Sequence, residues 1–482
     1  MRRAIPTVPP PLAAAAAGAG ALILAALLLV ATKHPVPVLG GLVALCGAVA
    51  VIRFPILSLG VLFFVQPFHT ALFAALKVRA SLDTGALDYW KDALIVALFA
   101  RAFYERVRSD RRLPLNDAGD NIVWFYILAF IGIALTSPSR PTVGPALALY
   151  VEGPLVFLTL RWLRPTRRQL WGLAAAMLSA AAVIGGAALI EQVGPRLAFH
   201  RWYGASAGPN GEPFVLPSGA YRSGSFIYDP LILGFYLAAA VPFAVAVATV
   251  RSWWRGAAAV AFVACAAGLV VTITRSGYIG GGIGLLVALS LAVRNPGIRA
   301  SLIGMALVLV GVVSIYYIAS NDQSLIRTES NVSHRQSLER DVELLEQRPL
   351  GYGLGTTDRF RFRPDAEGQL GATESTYMAR ALEAGLQGFF LYLVALFSLL
   401  MRLRSARLRA RRAGDRDGVA LAAGAMGSLV AVSLAGLFLG VHELVVEIVL
   451  WGAPALALAW PLAERTGIPV RADSASETVP VG

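Results

Sequence analysis

Two arginines lie beside apolar segments that carry almost no other charge. Arg275 lies in VTITRSGYIGGG at 271–282, and Arg222 lies in YRSGSFIYDP at 221–230. An arginine at membrane depth is costly unless it is paired or hydrated. A guanidinium can also donate two parallel hydrogen bonds to a phosphate without losing its charge. The two arginines therefore predict a site for the pyrophosphate head of a molecule whose lipid tail stays in the bilayer.

Each arginine also has a purely structural interpretation. Arg275 could snorkel from a helix end to the membrane surface. Arg222 could be a loop residue paired with Asp229. The segment GYGLG at 351–355 is open to two interpretations as well. Its glycines either allow a tight chain reversal, or they expose backbone N–H groups that hold an anion, with Gly353 and Gly355 as the candidates.

The cysteine and histidine content argues against disulfide bonds and metal binding. Cys46 and Cys265 both fall in apolar runs, and the five histidines include no H-x-x-x-H pair. We therefore expect neither a disulfide framework, nor a zinc site, nor any other metal or cofactor.

The elements that must position these residues follow from composition. The 482 residues are 57% hydrophobic and 15% charged, with a mean hydropathy of +0.65. Soluble domains carry about 25% charged residues, so this chain is too apolar to be one. A bilayer-spanning helix needs about 20 apolar residues. We predict an all-α, polytopic transmembrane helix bundle of about 12–14 spans, with one large extracytoplasmic loop that contains amphipathic helices.

Fourteen apolar runs are the candidate spans. The run at 91–104 is short enough to be interfacial or a half-span, and the run at 12–32 is interpreted as a retained anchor. The runs lie at 12–32, 36–52, 55–76, 91–104, 121–138, 143–160, 170–190, 231–250, 256–274, 277–293, 301–319, 381–401, 419–440 and 444–462.

Charge predicts the orientation. The chain has 42 Lys+Arg against 29 Asp+Glu, and the clearest basic clusters are RWLRPTRR at 161–168 and RLRSARLRARR at 402–412. Short loops rich in Lys and Arg lie on the cytoplasmic side, so the basic excess indicates topology and attraction to anionic lipid. A nucleic-acid partner is not expected. The two long loops, 191–230 and 320–380, then lie outside.

These assignments divide the chain into six parts. They are an N-terminal transmembrane bundle (1–190), an extracytoplasmic loop (191–230), central transmembrane helices (231–319), a large extracytoplasmic catalytic loop (320–380), C-terminal transmembrane helices (381–462) and a disordered cytoplasmic tail (463–482). Within 320–380, Ser333 and Gln336 form a capping-box pattern, and Pro349 ends the helix. Its apolar face, Leu338, Val342 and Leu345, predicts an amphipathic helix on the membrane or on the roof of the bundle.

Three stretches, in order, resemble the O-antigen ligase / O-antigen polymerase superfamily, bacterial transferases that take glycans from undecaprenyl pyrophosphate. YRSGSFIYDPLILGFYL resembles the family's R-x-x-G-[ST]-F-x-x-P-N segment, and TITRSGYIGGGIGLL resembles its T-x-S-R segment. HRQSLERDVELLEQRPLGYGLG, followed by ESTYMARALEAGLQGFFLYLVAL, resembles its large periplasmic loop. The resemblance covers about residues 220–400. It implies that Arg222 and Arg275 grip the donor pyrophosphate and that Arg335 lies near the same cavity.

One departure from the family pattern matters. The family histidine that opens H-N-x-Y-L is replaced by Ala372-Thr373-Glu374-Ser375-Thr376-Tyr377, so Glu374 most nearly occupies its place. His334 lies upstream and does not align. We expect Glu374 to be the general base for the acceptor hydroxyl; the alternative is an ion pair with Arg380 or with a loop arginine. The departure favours a polymerase or exopolysaccharide enzyme over a strict lipopolysaccharide ligase.

Four further residues are candidates with weaker support. Tyr377 either lines the acceptor site or packs in the wall, and Glu383 is expected to be a structural partner. Asp83 and Asp88, in SLDTGALD, resemble the acidic first loops of other lipid-linked glycosyltransferases.

The resemblance implies an inverting, metal-independent glycosyltransferase in the bacterial inner membrane, with its active site on the extracytoplasmic side. Its partners would be an undecaprenyl-pyrophosphate-linked glycan donor, a glycan acceptor and the lipid bilayer. A polysaccharide flippase or other transporter, and a non-catalytic scaffold of polysaccharide assembly, are the alternatives.

Overall fold

The structure is a computed structural model of the chain. It describes residues 47, 49–79, 89–110, 117–137, 140–194, 215, 221–250, 254–293, 295–301, 303–304, 328–357, 370, 373–438, 440 and 443–464. The predicted run at 12–32, most of those at 36–52 and 301–319, Asp83, Asp88 and the tail after 464 lie outside these residues.

The described residues form a helical bundle. Its helices are α1 (Pro55–Val65), α2 (His69–Arg79), α3 (Trp90–Asp110), α4 (Ala118–Thr136), α5 (Arg140–Leu163), α6 (Arg167–Val193), α7 (Pro230–Ala248), α8 (Trp254–Val271), α9 (Arg275–Ala292), α10 (Thr328–Gln347), α11 (Thr376–Arg412), α12 (Arg416–Ala435) and α13 (Leu444–Glu464). A 3₁₀ turn, Gln66–Phe68, joins α1 to α2.

Nine spans in the described part of the chain are long and apolar enough to cross a membrane: α1 with α2, α4 to α9, α11 and α12. The apolar stretch of α13, Leu444–Trp460, is shorter. The predicted all-α polytopic membrane bundle is therefore confirmed. The run at 91–104 belongs to the longer helix α3, which carries charge at both ends and is not among the nine. The total of about 12–14 spans stays a prediction.

Helix starts coincide with side chains that accept hydrogen bonds from free backbone N–H groups. Thr166 and Gln169 form a complete capping box at α6. Asp117, Asp229 and Asp415 cap α4, α7 and α12 in turn. Short polar side chains at these positions typically stabilise a helix by about 1 kcal/mol, so local sequence places these helix starts.

Close packing of α7, α9 and α12 forms the centre of the bundle. A Cβ on Gly284 would lie 2.5 Å from the carbonyl oxygen of Gly427, so neither helix can carry a side chain at that contact. Ser428 Oγ, which is buried, donates to the carbonyl of Ala239 at 2.6 Å. Small residues and interhelical hydrogen bonds are the usual means of holding membrane helices together. This trio sets the positions of the α7 and α9 starts.

Helix α11 is longer than a bilayer requires. Its 37 residues include a break at Gly385, where φ is +73°. At 1.5 Å per residue the helix is about 55 Å long, against a hydrocarbon core of about 30 Å. The predicted span at 381–401 therefore begins earlier, at Thr376, and the basic run at 402–412 continues the same helix past the hydrocarbon.

A network of charges joins the helices at the end of the bundle that carries the 402–412 run, here called the basic end. Arg161 and Arg402 both pair with Asp117, at 2.7 and 3.1 Å, and with Asp120, at 3.3 and 3.0 Å. Arg161 also donates to the carbonyl of Leu458 at 2.8 Å. Four helices, α4, α5, α11 and α13, are therefore connected at this end. The opposite end, which carries Arg222, Arg275 and Glu374, is called the loop end.

Candidate functional site

The segment that carries Arg222 folds back onto the turn between α8 and α9. The Nε of Arg222 donates to the carbonyl of Thr272 at 3.1 Å, and Ser223 N donates to Val271 O at the same distance. Arg222 is 6% exposed. These contacts place Arg222 next to the turn that leads directly into Arg275.

Arg275 is the first residue of α9. Thr274, just before it, uses its hydroxyl to donate to the carbonyl of Pro230 at 3.1 Å, which ties the start of α9 to the start of α7. Arg275 is partly buried. The two predicted phosphate-binding arginines thus lie at the same end of the bundle. Positive helix ends favour anions, so Arg275 combines a side-chain charge with a helix N-terminus.

Asp229, the alternative partner considered for Arg222, has a structural role. One carboxylate oxygen accepts from the backbone N–H groups of Leu231, at 2.7 Å, and Ile232, at 3.3 Å. The side chain therefore caps α7. Capping fixes the direction in which the chain leaves the Arg222 segment.

The backbone around these arginines is strained. Ser225, Tyr228 and Ile273 have φ values of +48°, +76° and +50°, a region that residues with a side chain rarely adopt. For the β-branched Ile273 the conformation is especially unfavourable. Such strain typically costs about 1–3 kcal/mol per residue and is concentrated at functional sites. The packing of the loop end holds these residues in place.

Glu191, which sequence reasoning missed, supports the Arg222 segment. Its carboxylate is fully buried and accepts from Ser223 Oγ at 2.5 Å and from Ser225 N at 3.1 Å. The signal available in the sequence was a single acidic residue at the end of the apolar run of α6. Glu191 therefore positions the loop, and through the loop it positions Arg222.

Glu374 and His334 are in contact. The Nδ1 of His334, on α10, pairs with the Oε2 of Glu374, which lies just before α11. Their side chains are 37% and 31% exposed, so solvent or a substrate can reach them. The fold thus brings the imidazole of His334 to Glu374, although the two residues are 40 positions apart in the sequence. A histidine held by a carboxylate is a common arrangement for moving protons.

Arg380, the other partner considered for Glu374, pairs elsewhere. Its guanidinium bonds Glu447 at 2.9 Å and stacks on Tyr392, 3.8 Å from the ring centroid. Glu447 also accepts from the indole of Trp451 at 2.7 Å. Arg380 is 1% exposed. This buried pair joins α11 to α13 beneath the loop end.

The Gly-rich turn binds a carboxyl group that belongs to the chain itself. The N–H groups of Gly355 and Thr357 and the Thr357 hydroxyl donate to the side chain of Glu383. The Tyr150 hydroxyl completes the set at 2.7 Å. Gly353 N donates to the backbone carbonyl of Glu383 at 3.0 Å. Glu383 therefore acts as the expected structural partner, and it fastens the large loop to α11.

The two remaining predicted site residues, Tyr377 and Arg335, form contacts with other residues of the chain. The Tyr377 hydroxyl donates to the carbonyl of Ser433 at 2.9 Å, so this tyrosine packs α11 against α12. The side chain of Arg335 is 81% exposed and pairs with Glu339, one turn further along α10. Arg335 adjoins His334 in sequence, so it lies close to the His334–Glu374 pair.

In α10, residues of the predicted apolar face are exposed and an acidic residue is buried. Asp341 is 1% exposed, and burial raises the pKa of this carboxyl despite an ion pair with Arg340. Leu338 and Val342, from the predicted apolar face, are 50% and 42% exposed. The helix was predicted to lie either on the membrane or on the roof of the bundle. The exposure of its apolar side chains fits the membrane location, with the apolar face directed at lipid.

The end of α12 connects the two halves of the site. A Cβ on Gly280, in the second turn of α9, would meet the carbonyl oxygen of Ala431 at 2.4 Å. Thr376 N, two residues after Glu374, donates to the carbonyl of Gly436 at 2.9 Å. The helix that starts at Arg275 and the segment that carries Glu374 thus pack on the same end of α12. Arg222, Arg275 and Glu374 therefore lie at the same end of the bundle.

Part of the chain that carries these residues matches a known family. Residues 260–393 match the family model described as O-antigen ligase. This segment belongs to the O-antigen ligase family. The ligase segment contains Arg275, His334, Glu374 and Glu383, whereas Arg222 and the start of α7 precede it. The chain accordingly has the helices of a multi-pass membrane protein, and residues 260–393 within it are similar to the O-antigen ligase family. No curated protein matches it.

Proposed function

We propose that this protein transfers a glycan from undecaprenyl pyrophosphate to an acceptor hydroxyl during the synthesis of a cell-surface polysaccharide. The observation that supports this best is the placement of Arg222 against Thr272, in the turn that leads into Arg275. Two guanidinium groups at the edge of the apolar bundle suit a diphosphate head whose tail remains in lipid.

The arginines would act on the leaving group. As the acceptor oxygen bonds to the anomeric carbon, the bond from that carbon to the pyrophosphate oxygen breaks, and undecaprenyl pyrophosphate departs as an anion. Fixed positive groups that are already in position stabilise this developing charge without reorganisation. Such a displacement inverts the anomeric carbon and is consistent with a metal-independent reaction.

Glu374 and His334 would receive the proton of the acceptor hydroxyl. The carboxylate of Glu374 contacts Nδ1 of His334, which favours the tautomer whose other ring nitrogen carries the lone pair that can accept a proton. Glu374 thereby serves as base together with the imidazole. Since the family histidine is absent from its usual position, a polymerase or exopolysaccharide enzyme is favoured over a strict lipopolysaccharide ligase.

The arginine prediction can be tested by substitution. Purified Arg222→Ala and Arg275→Ala variants should transfer glycan from a polyprenyl-pyrophosphate donor at least about 100-fold more slowly, because each loses a fixed stabilising charge. In cells, lipid-linked donor should accumulate and polysaccharide chains should shorten.

Arg255→Ala is the matched control, since Arg255 is exposed at the start of α8, at the opposite end of that helix from the turn. It should retain normal transfer. Full activity in both the Arg222 and Arg275 variants would refute the pyrophosphate site.

A further inference from the structure

A groove opens on the outer surface of the bundle, between the residues just before α1 and one face of α3. It has a volume of about 360 Å³ and is lined by Val51, Ile52, Ala97, Arg101 and Tyr104. Ile52 and Tyr104 are 64% and 56% exposed, so the groove is open to the surroundings of the bundle. The groove lies beside the first residues of α1. The other end of α1 leads to Phe68, which packs on Phe226 at the loop end, so the groove is at the opposite end of that helix.

The sequence of α3 keeps this groove apart from the core. Ala97, Arg101 and Tyr104 follow the i, i+4, i+7 spacing of a single helix face. Phe99 and Phe103, on another face, pack on Trp162 with ring centroids 5.4 and 6.0 Å apart. Because the aromatic face anchors α3 inward, the Arg101 face is held outward, along the groove.

The guanidinium group of Arg101 lies in this mainly apolar groove with some of its hydrogen-bond donors unused. One terminal nitrogen pairs with Glu105 at 2.5 Å. In the part of the chain that the structure describes, Nε of Arg101 is buried and has no hydrogen-bond partner. A buried donor without an acceptor is unfavourable. An anionic group beside Arg101 would remove this penalty.

The charge around the groove suits an anion. Arg53 precedes α1, and Arg106 and Arg108 follow Arg101 on α3, whereas Glu105 and Asp110 are the nearby acidic residues in these segments. Four arginines thus outweigh two acids. The exposed Tyr104 is of the type found at the membrane–water boundary, where an aromatic ring meets both lipid and headgroups.

We propose that this groove binds an anionic glycerophospholipid. The phosphate lies against Arg101, with Tyr104 beside the headgroup, and one acyl chain lies along Val51, Ile52 and Ala97. The site is separate from the proposed transfer site, and its existence does not depend on the proposed function. Phospholipid with a net negative headgroup is favoured over zwitterionic phospholipid, because only the former matches the excess of arginine.

Binding can be measured by native mass spectrometry of the full-length protein, titrated with phosphatidylglycerol or with phosphatidylcholine of the same acyl chains. The wild-type protein should bind phosphatidylglycerol more tightly. Arg101→Gln should weaken phosphatidylglycerol binding about fivefold, the effect expected for one basic residue near a membrane surface, and leave phosphatidylcholine binding unchanged. Arg404→Gln, which alters an exposed arginine of α11 that does not line the groove, is the matched control.

A second variant tests the acyl-chain part of the site. Ala97→Phe fills the apolar wall without changing charge and should weaken both lipids. Equal binding of the two lipids to the wild type, or an Arg101→Gln variant with unchanged selectivity, would overturn the proposal. So would displacement of phosphatidylglycerol by a polyprenyl phosphate at lower concentration, or cross-linking of two copies of the chain through Ile52→Cys.

Discussion

Charged residues at the loop end fall into two groups that differ in what they contact. Arg380, Glu383 and Glu447 are buried and bonded within the bundle, so they join helices. Glu374 and His334 are partly exposed and contact each other. A substrate can reach the partly exposed pair, whereas the side chains of Arg380, Glu383 and Glu447 serve the packing of the helices.

The His334–Glu374 contact predicts that the two residues act as a unit. Glu374→Gln and His334→Ala should each reduce transfer by about 100-fold or more, the range for general acid–base catalysis. The double variant should be no slower than the slower single variant, because groups that act together are not additive. Rates of all three proteins against the wild type, with a fixed donor, provide the measurement.

Glu339→Gln serves as the control for this cycle, since it removes an exposed carboxylate of α10 that pairs with Arg335. It leaves the His334–Glu374 contact unaltered. Wild-type rates in Glu374→Gln would exclude Glu374 as base, and strictly additive losses would show that the two residues act separately.

At the scale of helices, polar side chains at the turns determine where each helix begins. Asp415 is an example at the turn between α11 and α12. It accepts from Gly418 N at 3.1 Å and from the indole of Trp460 at 2.7 Å, and it pairs with Arg167 at 3.3 Å. Burial opposes ionisation, but these partners together hold the pKa of Asp415 below its usual value.

The direction of this pKa shift predicts a pH dependence. Because the pKa is lower in the folded state, the stabilisation is complete above the unfolded pKa of about 4 and is lost as pH falls through the folded pKa. Asp415→Ala should lower the free energy of unfolding by about 1–2 kcal/mol at pH 7. Thermal unfolding in detergent, between pH 7 and pH 3, measures both effects.

Asp415→Asn separates the cap from the charge. The amide oxygen can still accept from Gly418 N, so this variant should be less destabilised than Asp415→Ala at pH 7, and its difference from wild type should shrink in acid. An Asp415→Ala protein with an unchanged melting temperature would contradict the proposed role of the cap.

At the scale of the whole molecule, the two ends of the bundle carry different structural features. The basic end carries a charge network and the extension of α11, whereas the loop end carries the strained turns and the Gly-rich segment. Short basic segments remain in the cytoplasm. The loop end, with the proposed transfer site, is therefore expected on the extracytoplasmic side of the membrane.

Thiol labelling of intact cells tests this orientation. In a chain whose Cys46 and Cys265 are replaced by Ala, a membrane-impermeant reagent should label Glu346→Cys from outside. It should label Arg409→Cys only after the membrane is disrupted. Both positions are exposed, so both should react in disrupted cells. Labelling of Arg409→Cys in intact cells would place the basic end outside and contradict the predicted topology.

Hydropathy was sufficient to predict the helical bundle and most helix positions in its described part. The predicted helix start at the Ser333–Gln336 capping-box pattern was wrong, since α10 begins at Thr328 and Ser333 lies inside it. The energy of moving a segment from water into lipid is a sum over neighbouring residues, so it can be read from the sequence. The placement of α10 was harder to predict, because which face of a helix is buried depends on the surface it meets. Its apolar face is partly exposed, and Asp341 is buried instead.

The sequence by itself determined which residues stand at the ends of spans, including Arg222, Arg275 and Glu374. Only the tertiary structure decided their partners. His334 reaches Glu374 from another helix, Glu191 supports the Arg222 segment, and the N–H groups of the Gly-rich turn are used by Glu383. Span positions follow from local solvation energy, whereas these pairings join residues distant in sequence and follow from how the helices pack.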